Sequence, residues 1–187
     1  MISDDKLPAV PRLLLASSSP RRQALLNQIH VKFEVIENGH QECHQSGESV
    51  RCYVKRNALA KANTAFNLLP QNQRSVVVLA ADTVVTFDQH ILEKPNNQAQ
   101  ADGMLSMLAG RSHQVLSAVA MVSDHNQKVV LQQNQVTMRK ISAVERRAYW
   151  VSGEPQDKAG GYAIQGLGAI FIVHLDGSYS GVMGLPI

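Results

Sequence analysis

One carboxylate stands in the most apolar stretch of the chain. Val76-Val77-Val78-Leu79-Ala80-Ala81-Asp82-Thr83-Val84-Val85 is hydrophobic on both sides of Asp82. Burying an ionised group is costly unless it is paired, hydrogen-bonded or bound to metal. A carboxylate at a strand end can hold Mg²⁺ or Mn²⁺, with water and phosphate oxygens completing the shell. It can also accept a proton from an attacking water. The plainer alternative is an Asx-turn in which Asp82 ends the strand and Thr83 begins another. The apolar pattern resumes at Val84-Val85, which favours chemistry.

A second candidate is the turn Ser17-Ser18-Ser19-Pro20-Arg21-Arg22. Ser19 is placed to cap a helix, and Pro20 suits the first turn because its missing N–H would be unpaired there anyway. Arg21 and Arg22 then put two cations at the positive end of the helix dipole, a cost of roughly 0.3–1 kcal/mol each that a bound anion would reverse. Free N–H groups, serine hydroxyls and two guanidiniums together suit a triphosphate. A solvated cap with outward arginines is the competing reading.

Two lysines and one glutamine complete the set. Val54, Ala58, Lys61 and Ala65 share one stripe at helical spacing, so Lys61 either snorkels to the rim or meets an anion. Lys94 precedes Pro95, which biases it toward extended geometry and a fixed direction. Gln165 lies in the glycine-rich segment from Gly153 to Gly168. Its amide both donates and accepts, matching the O4 acceptor and N3–H donor of uracil or thymine, or simply serving loop backbone groups. The glycines precede a strand rather than open a helix, so this is no dinucleotide fingerprint. His113, between a helix end and a strand, is assigned no role.

These residues need elements to hold them. The expected strands are 11–16, 31–36, 75–87, 91–92, 115–122, 129–138 and 169–175. The expected helices are 20–29, 48–69, 99–108 and 142–151, the last with Ser142 and Glu145 in capping-box positions. Asp124-His125-Asn126 marks a hairpin turn. Strands alternating with helices, with hairpins among them, predict an α/β fold whose mixed twisted sheet is flanked by helices. At 187 residues the chain suits one domain, 1–187, or one domain folded as two closely joined lobes.

Bulk composition excludes several classes. No apolar run approaches the roughly 20 residues of a membrane span, and Leu13-Leu14-Leu15-Ala16 is short for a secretory segment, so the cytoplasm is the expected compartment. The net charge of +3 suits an anionic ligand and is too mild for nucleic acid. Cys43 and Cys52, near His40 and His44, lack the paired spacings of a zinc site and are expected as free thiols.

The motifs together resemble the Maf family, also called septum-formation proteins, which are nucleoside triphosphate pyrophosphatases. The matching segments are Leu15–Arg22, Ala81–Val85, Glu93-Lys94-Pro95, Gly110-Arg111-Ser112-His113, Ser152–Pro155, Asp157–Gly166 and Gly184-Leu185-Pro186. They follow family order over nearly the whole chain. The resemblance implies cleavage between the α and β phosphates, a divalent cation (Mg²⁺ or Mn²⁺), two lobes around a central nucleotide-binding cleft, and a homodimer. It also implies that Asp82 is a proton acceptor or organises the metal, with Glu42 as an acidic position near that metal. Arg21, Thr83 and Gln165 match positions that sort substrates; Ser17, Arg22, Lys61 and Lys94 match phosphate-side positions. The version Asp157-Lys158-Ala159-Gly160, with Ile164-Gln165-Gly166, is similar to the branch acting on dTTP and UTP rather than the one handling 7-methyl-GTP. Gly181 and Met183 depart from the family pattern near an expected structural turn. The rival reading is a nucleotide- or nucleic-acid-binding regulator of septum formation without turnover, which would gain nothing from a buried Asp82 beside phosphates.

Overall fold

A computed structural model describes residues 11–187. Seven strands form one mixed sheet: β1 (Arg12–Leu15), β2 (Glu34–Val35), β3 (Val76–Phe87), β4 (His90–Leu92), β5 (Ser112–Val122), β6 (Gln127–Met138) and β7 (Ile172–Asp176). Their order is β2-β1-β3-β5-β6-β7, with β4 also on β3. β1 is parallel to β2 and β3, and the remaining pairs are antiparallel. Five helices flank the sheet: α1 (Pro20–Gln28), α2 (Val50–Asn67), α3 (Gln98–Leu108), α4 (Ala143–Val151) and α5 (Tyr179–Met183). The α/β architecture expected from alternating patterns is the one found.

Local chemistry accounts for most boundaries. Ser49 caps α2 by accepting from the Cys52 N–H, and the helix stops ahead of Pro70. The capping box of Ser142 and Glu145 starts α4. The β5–β6 hairpin closes with Ser123 N–H donating to Asn126 C=O at 2.8 Å. At α1, Ser19 holds the cap position but its hydroxyl caps nothing. Ser17 Oγ accepts from the Ser19 N–H instead, at 3.2 Å, so the side-chain bond expected of Ser19 is replaced by one made two residues earlier.

Several expected elements change extent. The strand foreseen over 31–36 shrinks to Glu34–Val35, while Val31 and Phe33 pack on the core from irregular backbone. The strand foreseen from Ala169 begins at Ile172, because Leu167–Phe171 coils into 3-10 turns. α5 has no counterpart among the expected elements; five residues are too few to show a helical period. Gly181 lies within α5, where a Cβ would come 2.5 Å from Gln132 Oε1 and 2.9 Å from Asn134 Nδ2. This departure from the family pattern therefore fits its own neighbours. Among the described residues no helix is long and apolar enough to cross a membrane.

The sheet leaves a gap where the functional residues gather. β1 pairs with Val76–Leu79 of β3 and then ends, and β4 pairs only with Val85–Phe87. Between them, residues 80–84 are paired on one side alone, with β5. One core lies on the α2 face and includes Val54, Ala58, Val78, Ala80 and Val84. The opposite face carries two clusters. One unites α1 with Leu79, Ala81 and Leu185; the other unites Val85 and Leu105 with Tyr149, Tyr162 and Phe171. The glycine loop reaches the sheet because Gly160, at φ 69°, brings its backbone where a Cβ would stand 2.8 Å from Val85.

Candidate active site

The gap beside residues 80–84 opens into a cleft of roughly 480 Å³. Ser17, Arg21, Arg22, Glu42, Lys61, Asp82, Thr83, Lys94 and Gln165 all line it, so the nine candidate site residues border one cleft.

Asp82 sits within β3 rather than at its end, which rules out an Asx-turn terminating the strand. Alternation puts Asp82 on the face of Val78, Ala80 and Val84, toward α2. There Lys61, on the buried stripe with Val54 and Ala58, donates to Asp82 Oδ1 at 2.7 Å. Both side chains are buried, Asp82 at 4% and Lys61 at 8% exposure, so neither snorkels to water. Lys61 also pairs with Glu42. The lysine stripe thus meets carboxylates directly. Burial opposes charge on Glu42, yet Lys61, with Lys94 and Arg22 farther away, holds its carboxyl below the usual range. Asp82 Oδ2 is buried without a hydrogen-bond partner among the described residues. One turn before Lys61, the fully buried Asn57 meets His40 Nε2 at 3.3 Å.

Thr83 faces the other side of the sheet and a different network. Arg22 donates from Nε to Gly184 C=O at 2.9 Å, from Nη1 to Ser17 Oγ at 3.1 Å and from Nη2 to Thr83 Oγ1 at 3.4 Å. Ser117 Oγ lies 2.9 Å from Thr83 Oγ1 and donates to Gly181 C=O at 2.6 Å. Burial lowers the Arg22 pKa, with Asp82 opposing that shift. Arg22 is therefore a pinned charge tying the serine turn to the chain around α5, whereas Arg21 is more open. Arg21 lies 3.9 Å from Asp157, which also pairs with Lys158.

Five Lys and Arg side chains against three carboxylates give the cleft a cationic balance. Lys94 makes no ion pair among the described residues, and Gln165 is exposed with its amide free of protein hydrogen bonds. A bound base or phosphate would meet both without displacing anything. Sequence reasoning missed His40, Asn57, Ser117 and the cleft lysine Lys158. For Lys158 a signal existed, a cation two residues ahead of the glycine pair Gly160-Gly161; for Asn57, a polar residue one turn before Lys61 on the same largely apolar helical stripe. His113 is buried with Nε2 2.7 Å from Tyr162 Oη, and burial lowers its pKa to about 4. Cys43 and Cys52 are exposed free thiols, and among the described residues no three or more His, Cys, Asp or Glu gather as a closed metal cage.

The Maf-like protein family model matches residues 12–187. A dTTP/UTP pyrophosphatase of Saccharophagus degradans is 46% identical over 175 residues, covering 94% of this chain and 83% of the relative. The protein of that name from Alkalilimnicola ehrlichii is 45% identical, covering 95% of this chain and 88% of its own. A third, from Photobacterium profundum, is 44% identical with coverages of 94% and 91%.

Proposed function

The chain belongs to the Maf-like protein family, and from that premise we propose that it hydrolyses dTTP and UTP to the monophosphate and pyrophosphate. One observation carries the reading beyond the family: a buried carboxylate with a free oxygen, Asp82 Oδ2, borders a cleft lined by five cations. A site that only held polyanions would gain nothing from that carboxylate. In this reading residues 1–187 work as one domain, in the cytoplasm and as a homodimer.

The donor set suits a hard divalent cation. Mg²⁺ binds through one or two carboxylates and otherwise keeps waters and substrate phosphate oxygens. Asp82 and Glu42 offer two carboxylates, one with an unpartnered buried oxygen. These two residues would hold Mg²⁺ or Mn²⁺, which when bound would polarise the phosphoryl oxygens.

The remaining roles belong to the chain's own groups. Asp82 orients the attacking water and accepts its proton as oxygen bonds to the α-phosphorus and the bond to the bridging oxygen breaks. Lys61 fixes the Asp82 carboxylate from behind. Arg21, Lys94 and Lys158 neutralise charge that moves onto the departing pyrophosphate, and pinned Arg22 adds its charge without moving. Ser17 borders the phosphates, while Thr83 and Gln165 face the nucleoside, where the glutamine amide complements O4 and N3–H of the base. Product analysis with dTTP and Mg²⁺ or Mn²⁺ tests this: pyrophosphate and dTMP are expected, and release of orthophosphate would sink the reading.

A further inference from the structure

Among the described residues the Gln165 amide has no hydrogen-bond partner, so its position depends on the backbone that carries it. That backbone is gripped from behind by two side chains. Glu154 Oε2 accepts from the Leu167 N–H at 2.8 Å, and Glu154 Oε1 accepts from the Gly168 N–H at 2.9 Å. Tyr149 donates its hydroxyl to Glu154 Oε1 at 2.7 Å, and Tyr149 Oη in turn accepts from the Ala163 N–H at 3.1 Å. The pair therefore holds the chain on both sides of Gln165.

The approach depends on missing side chains. A Cβ on Gly168 would stand 2.6 Å from Tyr149 Oη and 2.7 Å from the Ala163 C=O oxygen, and one on Gly166 would run into the Glu154 carboxylate. Burial opposes the Glu154 charge, but the Tyr149 hydroxyl and the Gly168 and Leu167 N–H groups together keep its carboxyl below the usual range. Burial, then Glu154, raises the Tyr149 hydroxyl, which stays protonated as the donor. Tyr149 itself is anchored edge-on against Phe171, 5.2 Å between ring centroids. Tyr149 lies within α4 and Glu154 three residues past its end, so the clamp hangs on a capped helix.

We propose that Glu154 and Tyr149 are positioning residues for base selection, setting where Gln165 meets the pyrimidine while touching no substrate themselves. This rests on the pyrophosphatase reading above. A clamp of this kind predicts a specific split. Loosening it weakens recognition of the base, while the Asp82 side of the cleft keeps its geometry and its turnover.

The test compares Glu154→Ala, Glu154→Gln and Tyr149→Phe with the parent on dTTP and CTP, alongside amide hydrogen exchange. Leaving backbone N–H groups unpaired costs enough to expect about a tenfold fall in kcat/KM for dTTP in Glu154→Ala, carried by KM. The dTTP-to-CTP preference should narrow by a similar factor, and exchange at 163–168 should quicken while that of β3 does not change. Glu154→Gln keeps one acceptor oxygen and should fall between; it serves as the decisive variant if the alanine form fails to fold. Equal losses of kcat on both substrates, or an unchanged preference with unchanged exchange at 163–168, would overturn the proposal. If the parent does not turn over dTTP, the pyrophosphatase reading fails, and exchange at 163–168 alone decides whether the clamp exists.

Discussion

The two walls of the cleft solve the same placement problem by opposite means. On the acid wall, side chains are fixed by burial and charge: Asp82 projects from a twelve-residue strand and meets Lys61 on an eighteen-residue helix. On the loop wall, a turn between two short 3-10 segments carries Gln165, and backbone N–H groups are fixed by Glu154 and Tyr149. The first arrangement cannot shift without repacking a core, which suits a group that handles a proton. The second leaves the recognising amide exposed and unspent, which suits a group that must exchange water for a base.

Substitutions should therefore separate the walls. Asp82→Asn should cut kcat at least about a hundredfold, the lower range of acid–base contributions, with KM for dTTP little changed. Lys61→Met leaves Asp82 buried without its partner, and urea unfolding should show a loss of about 3–5 kcal/mol. A loss under about 1 kcal/mol would mean that the acid wall is held by packing alone.

Acid should reveal a property of the loop wall. His113 is held neutral, its pKa lowered to about 4 by burial, whereas an unfolded histidine titrates near 6.5. Protonation thus favours the unfolded chain: stability is whole above about pH 6.5 and falls as pH drops toward 4, by about 3 kcal/mol in all. His113→Asn should flatten that window in thermal melts. The smallest effect is expected from Gln165→Ala, with KM for dTTP raised about tenfold and stability within about 0.5 kcal/mol of the parent. A large loss of stability there would erase the contrast between the walls.

Much of this site was legible before any fold was known, and for a physical reason. Asp82, Lys61 and Arg21-Arg22 are visible because each violates a local rule: a charge in an apolar strand, a cation on an apolar stripe, cations at a helix start. Glu42 breaks no such rule and was singled out through the family motifs alone; Gln165 breaks none either and stood out only by an amide that both donates and accepts within a glycine-rich segment. The main strands and helices followed from apolar period and caps. What stayed hidden depends on distant partners. The gap between β1 and β4 that makes the cleft is a matter of register, which no single strand encodes. Arg22 was read as a phosphate ligand, but its three bonds to Ser17, Thr83 and Gly184 join segments far apart in sequence. Glu154 stayed unremarked inside the glycine-rich segment, since nothing local announces that its oxygens serve Leu167 and Gly168.

The most direct test of water attack at the α-phosphorus is turnover of dTTP in ¹⁸O-labelled water, with mass spectrometry of both products. The account predicts one ¹⁸O in dTMP and none in pyrophosphate. Label in pyrophosphate would place the attack on the β-phosphorus and contradict it.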